Sequence, residues 1–240
     1  MSEQLVKFNF PDQQYFDYSS FLGDHVFAVV SKLGADTANF ETTKKEQSES
    51  IPMLQIGNYY QKLAYPGQIH SDSVISTNTG GFIKNCDGIV TSSQEIAIRI
   101  KVADCVPVFL HDPKNKVNGL IHSGWRGTVK RITSKGISKF IELGSKVCNI
   151  KVVLGPSIKM RNYIVQEDVA SNFSDHNKMQ ISEGWKIDLT GEIIDELTNI
   201  GIHHHHILSS DICSFESDEC HSYRRDGEKA GRMYAFLGCA

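Results

Sequence analysis

Residues 95–112 constrain the fold most, because apolar and polar residues alternate along almost the whole stretch. Isoleucine occupies every second position in the first half, and valine or leucine does so in the second half. This period of two is typical of a β-strand. A second apolar run, residues 117–122, follows a Pro- and Asn-containing connection of hairpin type. We therefore predict a long strand interrupted at Asp104 and Cys105, and a neighbouring strand that brings His122 close to Cys105.

Two segments carry apolar residues at helical spacing instead. Residues 128–143 predict an amphipathic helix that begins at a Thr128 cap and ends at Gly144. Residues 191–200 predict a second helix, with Thr190 as its cap and Gly201 at its end. Further strands are predicted at residues 26–31, 87–91, 151–154 and 232–237.

This order of elements indicates an α/β (mixed α+β) fold, a layered domain of β-sheets flanked by helices. No repeat and no Pro-, Gly- or Ser-rich linker divides the chain, and the polar residues 41–50 read as a loop. We therefore expect residues 1–240 to form a single domain, either as a monomer or as a homodimer.

Charge and apolar content exclude several classes of protein. The chain has 25 Lys and Arg against 28 Asp and Glu, a net charge of −3, whereas nucleic-acid-binding domains are usually strongly basic. No run approaches the roughly 18 apolar residues of a membrane span. The N-terminus lacks a secretory pattern, and the six cysteines include no Cys-x-x-Cys pair. We expect reduced thiols, a cytoplasmic location, and neither nucleic acid nor a membrane as partner.

Three short segments contain side chains that bind metals, and they contribute His70, Cys105 and His122. Two imidazoles and a thiolate would leave one position of a tetrahedral ion open, as in catalytic zinc sites. Spacing alone favours a plainer interpretation, in which Cys105 is a small buried residue and both histidines are satisfied core groups.

Longer motifs extend this pattern. They are Gln-Ile-His at 68–70, Cys-Asp-Gly-Ile-Val-Thr at 86–91, Val-Ala-Asp-Cys-Val-Pro-Val at 102–108, Ile-His-Ser-Gly-Trp-Arg-Gly-Thr at 121–128, Gly-Pro-Ser-Ile at 155–158 and Ser-Tyr-Arg-Arg-Asp-Gly at 222–227. In this order they closely resemble the signature of the YfiH family, also called the multicopper polyphenol oxidase or laccase-domain family. The resemblance runs from about residue 60 to residue 238. The residues around Asn39 match the family poorly.

The resemblance implies a single α/β domain, distantly similar to cysteine deamidase toxins, with one zinc ion bound by His70, Cys105 and His122. It also implies a purine nucleoside enzyme. The expected reactions are phosphorolysis of adenosine, inosine and 5′-methylthioadenosine, and deamination of adenosine to inosine. The older family name implies copper and polyphenol oxidation instead.

A zinc ion would lower the pKa of a bound water molecule toward about 7. This would supply hydroxide at neutral pH for attack on C6 of adenine, the step that deamination requires. Asp104, the neighbour of Cys105, is the candidate for proton transfer; alternatively, it braces a loop. Phosphorolysis requires an anion site instead. The candidates are Arg126, Gly127 and Thr128 at a strand-to-helix turn, together with Arg224, Arg225 and Arg232. These arginines could instead form internal ion pairs with Asp226 or Asp87.

Other interpretations stay open on the sequence. A copper oxidase shares the His and Cys donors, and a metal-free hydrolase would use Cys105 as nucleophile and His122 as base. A metal-buffering protein would rely on residues 203–206, four consecutive histidines that we expect in an exposed strand or turn with adventitious affinity. Cys213 with Cys220 and His221 offers a second metal site, although we interpret these residues as packing substitutions.

Overall fold

The computed structural model describes residues 5–8, 14–35, 53–56 and 59–239. The strands are β1 Leu5–Phe8, β2 Tyr15–Asp17, β3 Val26–Ser31, β4 Met53–Ile56, β5 Tyr59–Pro66, β6 Val74–Ser76, β7 Gly81–Ile83, β8 Gly88–Thr91, β9 Ile96–Val102, β10 Val106–Asp112, β11 Val117–Ser123, β12 Lys151–Leu154, β13 Ile164–Val165, β14 Lys178–Ile181, β15 Gly184–Ile187, β16 Ile207–Ser209 and β17 Met233–Cys239. The α-helices are α1 Ser19–Leu22, α2 Trp125–Val129, α3 Ile132–Glu142, α4 Glu167–Ala170, α5 Leu189–Ile200 and α6 Tyr223–Asp226. The predicted loop at residues 41–50 and the segment around Asn39 lie outside the described residues.

The strands form three sheets. The first sheet has the order β1-β4-β5-β9-β17-β3-β2, with β7 added beside β5, and the second has the order β16-β12-β10-β11-β8-β6. Both contain parallel and antiparallel pairs, such as parallel β5 and β9 in the first and antiparallel β10 and β11 in the second. A small third sheet has the order β13-β15-β14. The predicted α/β class with sheets and helices in layers is therefore confirmed.

Buried side chains pack on both faces of the second sheet. In β9, Ile98 and Ile100 face the interior between the first and second sheets, where they pack with Phe109 and Leu120 of the second sheet. On the other face of the second sheet, side chains such as Val108 pack under α3 and α5. The second sheet is thus buried on both faces, which explains why its strands read as nearly continuous apolar runs.

Close packing of α3 on the second sheet depends on Gly136. A Cβ atom at this position would lie 2.4 Å from Cδ1 of Ile121, so only glycine lets the helix approach the strand this closely. Phe140 and Ile137 of the same helix are fully buried in the contact. This helix supports the end of β11, where His122 lies.

The predicted long strand at residues 95–112 is wrong in one respect. Residues 96–102 and 106–112 form two strands, β9 and β10, which belong to different sheets. Asp104 adopts a left-handed conformation with φ of 82°, which breaks the extended chain between them. The predicted interruption is thus a crossover between sheets, and it places Cys105 at their junction.

The helix predicted at residues 128–143 is also wrong in its start. Two helices replace it, α2 and α3, because Arg131 has left-handed dihedral angles between them. The Thr128 hydroxyl does not cap a helix, since it contacts the Ser123 hydroxyl at 2.9 Å and donates to the Gly124 carbonyl. Gly144 follows α3 with a φ of +88°, as its predicted role at the helix end requires.

The second predicted helix begins earlier than expected. Asp188, not Thr190, is the cap of α5, and its carboxylate accepts a hydrogen bond from the Gly191 amide. Gly201 ends the helix in the left-handed conformation, as predicted. The predicted strands at 26–31 and 151–154 match β3 and β12, and those at 87–91, 117–122 and 232–237 differ from β8, β11 and β17 by one or two residues.

Candidate active site

Three chain segments that are distant in sequence bring His70, Cys105 and His122 together. His70 lies in the loop after β5, Cys105 in the crossover from β9 to β10, and His122 near the end of β11. One donor atom from each residue lies within 4.8 Å of the other two. Among the described residues this is the one group of three or more His, Cys, Asp or Glu side chains with such spacing. We call it the metal cluster.

Asp87 connects two members of the metal cluster. Its carboxylate is fully buried and accepts hydrogen bonds from the backbone amides of Ile69, His70 and Ser71, at 3.2, 3.0 and 2.7 Å. It also lies 2.9 Å from Nδ1 of His122. Burial raises the pKa of Asp87, but hydrogen bonds from His122 and Ser71 outweigh burial and lower the pKa to about 2. An ionised carboxylate only accepts, so Nδ1 of His122 donates and Nε2 is left for a metal ion.

Cys105 and His122 stabilise opposite charges on each other. Burial raises the pKa of the Cys105 thiol, but the charge of His122 and hydrogen bonds from His122 and His70 lower it to about 6. Burial lowers the pKa of His122, and the Cys105 thiolate and Asp87 raise it to about 9. A thiolate is therefore present near neutral pH, which is the form of cysteine that binds metals and attacks electrophiles.

Strained backbone surrounds the metal cluster. Gln68, His70 and Asp104 all have positive φ angles, of 48°, 56° and 82°. Such conformations cost free energy and persist where neighbouring contacts enforce them. The Gln68 side chain supplies one such contact, because its amide donates to the Lys101 carbonyl at 2.6 Å and accepts from the Lys101 amide at 2.8 Å.

Gly124, directly after β11, gives the cluster its space. A Cβ atom at this position would lie 2.9 Å from Sγ of Cys105 and 3.3 Å from Cδ2 of His70. The glycine in the His-Ser-Gly-Trp motif is therefore required by the close approach of the other two segments.

The residues present fit a divalent metal ion. The donors of a tetrahedral zinc site lie roughly 3.3–3.8 Å apart, given Zn–N distances of about 2.0–2.1 Å and a Zn–S distance of about 2.3 Å. The metal cluster needs only small side-chain shifts to reach this spacing. His122 has the carboxylate partner that metal-binding histidines usually have, and three protein donors leave one position for another ligand.

The metal cluster borders a cavity of about 620 Å³, which we call the site cavity. This volume lies within the range of small-molecule sites, about 300–1,000 Å³. Six aromatic and cationic side chains form a large part of the remaining lining: Trp125, Tyr163, Tyr223, Lys101, Arg224 and Arg232. Burial raises the pKa of Tyr163 to about 12.

The carboxylate of Asp104 is engaged by the protein itself. One oxygen accepts a hydrogen bond from the Ser214 hydroxyl and the other from the Arg224 amide, both at 2.6 Å. Asp104 thus fixes the start of α6 beside the site cavity, which corresponds to the alternative in which it braces a loop.

Some of the residues predicted to bind phosphate line the site cavity, and others do not. Arg224 lines the site cavity, donates to the Ile164 carbonyl at 2.7 Å and lies 5.2 Å above the Tyr163 ring. Arg126, by contrast, stacks at 4.3 Å on Trp125 and is exposed outside this lining. Gly127 and Thr128 are buried residues within α2 and do not line the site cavity either.

The side chain of Arg225 forms hydrogen bonds and an ion pair within the protein. Its guanidinium donates to the backbone carbonyls of Ser214, Phe215, Ser217 and Cys220, and it forms an ion pair with Asp226 at 2.9 Å. The internal ion pair weighed from the sequence is therefore present for this arginine, and we do not retain Arg225 as a phosphate ligand. Asp87 pairs with His122 instead of an arginine.

Sequence reasoning missed several residues of this site. The main one is Asp87, which stood inside the recognised motif at 86–91 but was considered only as an ion-pair partner of an arginine. Lys101, Trp125 and Tyr163 also line the site cavity, although Trp125 stood inside a recognised motif. Cys213, Cys220 and His221 do not form a group of metal donors among the described residues. No described helix has the length and apolar character needed to span a membrane.

A family model and several known proteins match this chain. A family model described as multi-copper polyphenol oxidoreductase laccase matches residues 34–240. The chain is 31% identical over 220 residues to a purine nucleoside phosphorylase of Clostridium acetobutylicum, which covers 89% of this chain and 92% of that protein. A purine nucleoside phosphorylase of Deinococcus radiodurans is 34% identical over 175 residues, or 71% of this chain and 68% of that protein.

Two solved structures share the fold. YlmD from Geobacillus stearothermophilus superposes with a TM-score of 0.78 at 20% identity, covering 97% of this chain and 98% of that one. The hypothetical protein YfiH from Bacillus licheniformis gives 0.74 at 24% identity, covering 90% and 93%. The resemblance drawn from the motifs is therefore confirmed, and the chain belongs to the YfiH family, whose family model carries the multi-copper polyphenol oxidoreductase laccase description.

Proposed function

We propose that this protein is a purine nucleoside phosphorylase whose reaction takes place in the site cavity. Its substrates would be adenosine, inosine and 5′-methylthioadenosine, cleaved by phosphate to the free base and ribose 1-phosphate or methylthioribose 1-phosphate. The observation that carries the proposal is the preorganised metal cluster at a cavity with aromatic and cationic walls. The names of the relatives from C. acetobutylicum and D. radiodurans support the same reaction.

We assign the metal as zinc, held by His70, Cys105 and His122, with copper as a competitor for the same donors. When bound, such an ion would supply a Lewis acid and lower the pKa of water in its open position. Asp87 would hold His122 in the tautomer that offers Nε2.

The walls of the site cavity suit the two parts of the reaction. The rings of Trp125 and Tyr163 offer faces on which a purine base stacks. Arg224 and Arg232 bring positive charge to the same cavity, where phosphate must approach the ribose. Nη1 of Arg224 is held by the Ile164 carbonyl, which positions the rest of its guanidinium for an anion.

Deamination of adenosine to inosine would use the same cavity. We assign Asp104 a positioning role in it, because both of its oxygens already accept hydrogen bonds from Ser214 and Arg224. Tyr163 is the better candidate to donate a hydrogen bond to a bound substrate, since it lines the same cavity and a tyrosine hydroxyl is protonated at neutral pH.

A second candidate function is metal-free catalysis by a cysteine nucleophile. The supporting observation is the charge-stabilised pair of Cys105 and His122, oriented by Asp87 at 2.9 Å from the imidazole. Alkylation by iodoacetamide distinguishes the two candidates. We expect zinc to protect Cys105 and a chelator to expose it, while the exposed thiol of Cys148 reacts in both states as an internal control. Equal alkylation of Cys105 in both states would favour the nucleophile.

Polyphenol oxidation receives less support from the donor set. Reduction of dioxygen to water by a multi-copper enzyme requires several neighbouring copper ions. The described residues contain one group of three donors with metal-binding spacing.

The proposed function is tested by product analysis. Purified protein with a measured zinc content is incubated with adenosine, with and without phosphate, and the products are separated by chromatography. We expect adenine only in the presence of phosphate, and inosine under both conditions. Adenine formed equally without phosphate would indicate a hydrolase, and no product at one bound zinc would overturn the proposal.

A further inference from the structure

The four consecutive histidines at 203–206 do not form a strand. They lie between α5 and β16, and His204–His206 adopts a 3₁₀ turn. In an extended strand, His203 and His205 would face one side and His206 the other. A 3₁₀ turn has three residues per turn and brings positions i and i+3 to the same side. The turn therefore allows three imidazoles to meet where a strand allows two.

Three of the four rings are in mutual contact. His203 stacks on His205 with ring centroids 5.3 Å apart, and His205 meets His206 edge to face at 4.5 Å. His203 and His206 complete the triangle at 6.2 Å. His204 has no ring contact among the described residues. We call His203, His205 and His206 the histidine triangle.

One buried atom of the histidine triangle lacks a hydrogen-bond partner, which is evidence for a ligand. Nδ1 of His206 is buried and has no hydrogen-bond partner among the described residues. A buried polar atom without a partner costs free energy. The backbone at Ile150 lies beside the ring of His206 and raises its pKa slightly, while burial, the largest effect, lowers it. A bound metal ion would supply the partner that Nδ1 of His206 lacks, since a ring nitrogen of neutral histidine is a common metal donor.

The donor set selects the class of ion. Imidazole donors suit zinc, nickel, copper and cobalt, whereas magnesium and calcium prefer oxygen donors. His203 and His205 are exposed, so their side chains can rotate to close around an ion. Ordering these side chains costs conformational entropy, and we therefore expect weaker binding than at the metal cluster.

The histidine triangle lies far from the metal cluster. His206 directly precedes β16, whose residue Ile207 pairs with Val152 of β12. Lys151 at the start of β12 pairs with His111, near the end of β10, whereas Cys105 directly precedes the start of β10. Six residues of strand separate the two ends, or roughly 20 Å at about 3.4 Å per residue.

We propose that His203, His205 and His206 form a second site, open to solvent, for one divalent transition-metal ion, with His204 outside it. The site is separate from the proposed catalytic function and does not depend on it.

Titration of the full chain with Co²⁺ tests the proposal, because cobalt bound to a thiolate shows a charge-transfer absorption that cobalt bound to imidazoles lacks. We expect two equivalents of Co²⁺, the first with the thiolate absorption and the second without it. His203→Ala and His205→Ala should each weaken the second equivalent at least tenfold and leave the first unchanged.

His204→Ala is the matched control, since it removes one imidazole from the same run but none from the histidine triangle. We expect it to change the second affinity less than twofold. Equal weakening by His204→Ala and His205→Ala would show unspecific chelation by neighbouring imidazoles and overturn the proposal. The absence of a second equivalent would also overturn it. Failure of the catalytic proposal would appear separately, as loss of the first equivalent or of product formation.

Discussion

The metal cluster and the histidine triangle are both groups of three metal-binding side chains, but the protein holds them differently. The metal cluster joins residues 70, 105 and 122 from three segments, and the buried carboxylate of Asp87 fixes two of these segments together. The histidine triangle consists of near neighbours in one exposed turn, held mainly by ring contacts and by the backbone at Ile150.

This difference shows that the density of histidines in a sequence is a poor guide to a preorganised site. The donors of the metal cluster already lie within 4.8 Å of one another, whereas those of the histidine triangle do not meet this spacing. We expect the first to bind tightly and support turnover, and the second to bind weakly without it. The following variants separate the two.

Removal of a cluster donor should have the largest effect. We expect His122→Ala to lose the tightly bound ion and all detectable nucleoside turnover, because it removes a metal donor and the partner of both Cys105 and Asp87. Metal analysis and chromatography of products measure this. Binding of Co²⁺ at the histidine triangle should persist in this variant. Retention of full turnover would show that the metal cluster is not the catalytic centre.

Asp87→Asn should have the next largest effect. The variant keeps the shape of the side chain but removes the charge that orients His122 and the loop at His70. We expect zinc affinity to fall about 10–100-fold, as is typical for partners of metal-binding histidines. Competition with a chromophoric chelator measures the affinity, and thermal unfolding checks the fold.

Ser71→Ala is the control for this variant, since it removes one hydrogen bond to the same carboxylate and keeps the charge. We expect its zinc affinity to fall less than that of Asp87→Asn. Unchanged affinity in Asp87→Asn would remove Asp87 from the explanation of why the metal cluster is preorganised.

The arginines should show smaller and graded effects. We expect Arg224→Ala to raise the KM for phosphate about tenfold, the typical consequence of one lost charge-assisted hydrogen bond. Arg126→Ala should change it less than threefold, because its guanidinium stacks on Trp125 outside the site cavity. Initial rates at varied phosphate measure both. Equal effects of the two variants would contradict this placement of the phosphate.

Arg225→Ala should act on stability instead of on phosphate binding. It removes hydrogen bonds to four backbone carbonyls and the pair with Asp226. We expect the free energy of unfolding to fall by about 2 kcal/mol. Chemical denaturation measures this, and a tenfold rise in the KM for phosphate at unchanged stability would restore Arg225 to the phosphate site.

The smallest effect on catalysis should come from the histidine triangle. We expect the double variant His203→Ala, His205→Ala to keep kcat/KM within twofold of the native value, because the turn lies at the opposite end of β10 and β12 from Cys105. A larger loss would mean that the two sites communicate.

The sequence predicted the parts of this protein that depend on local patterns. Apolar runs of strand length and the turn residues that bound them identified β3, β11 and β12 nearly to the residue, and the motifs identified all three donors of the metal cluster. Periodicity could not show that β9 and β10 belong to different sheets, because an alternating pattern says only that a strand has a buried face.

Tertiary contacts explain the remaining differences. Arg131 adopts a left-handed conformation, which is unusual for arginine and is not predicted by its residue type. The spacing of apolar residues therefore did not indicate the break between α2 and α3. The role of Asp87 depends on a loop and a strand that are remote in sequence. Arg126 stood in a recognised motif, but the direction of α2 turns it away from the site cavity.

Titration of the metal-free chain with Zn²⁺, with product formation measured at each step, tests the metal cluster as the catalytic centre most directly. With saturating adenosine and phosphate, we expect the rate of adenine formation to rise linearly and to break at one Zn²⁺ per chain, while alkylation of Cys105 declines along the same curve. Full phosphorolysis in the metal-free chain would contradict a catalytic metal at His70, Cys105 and His122.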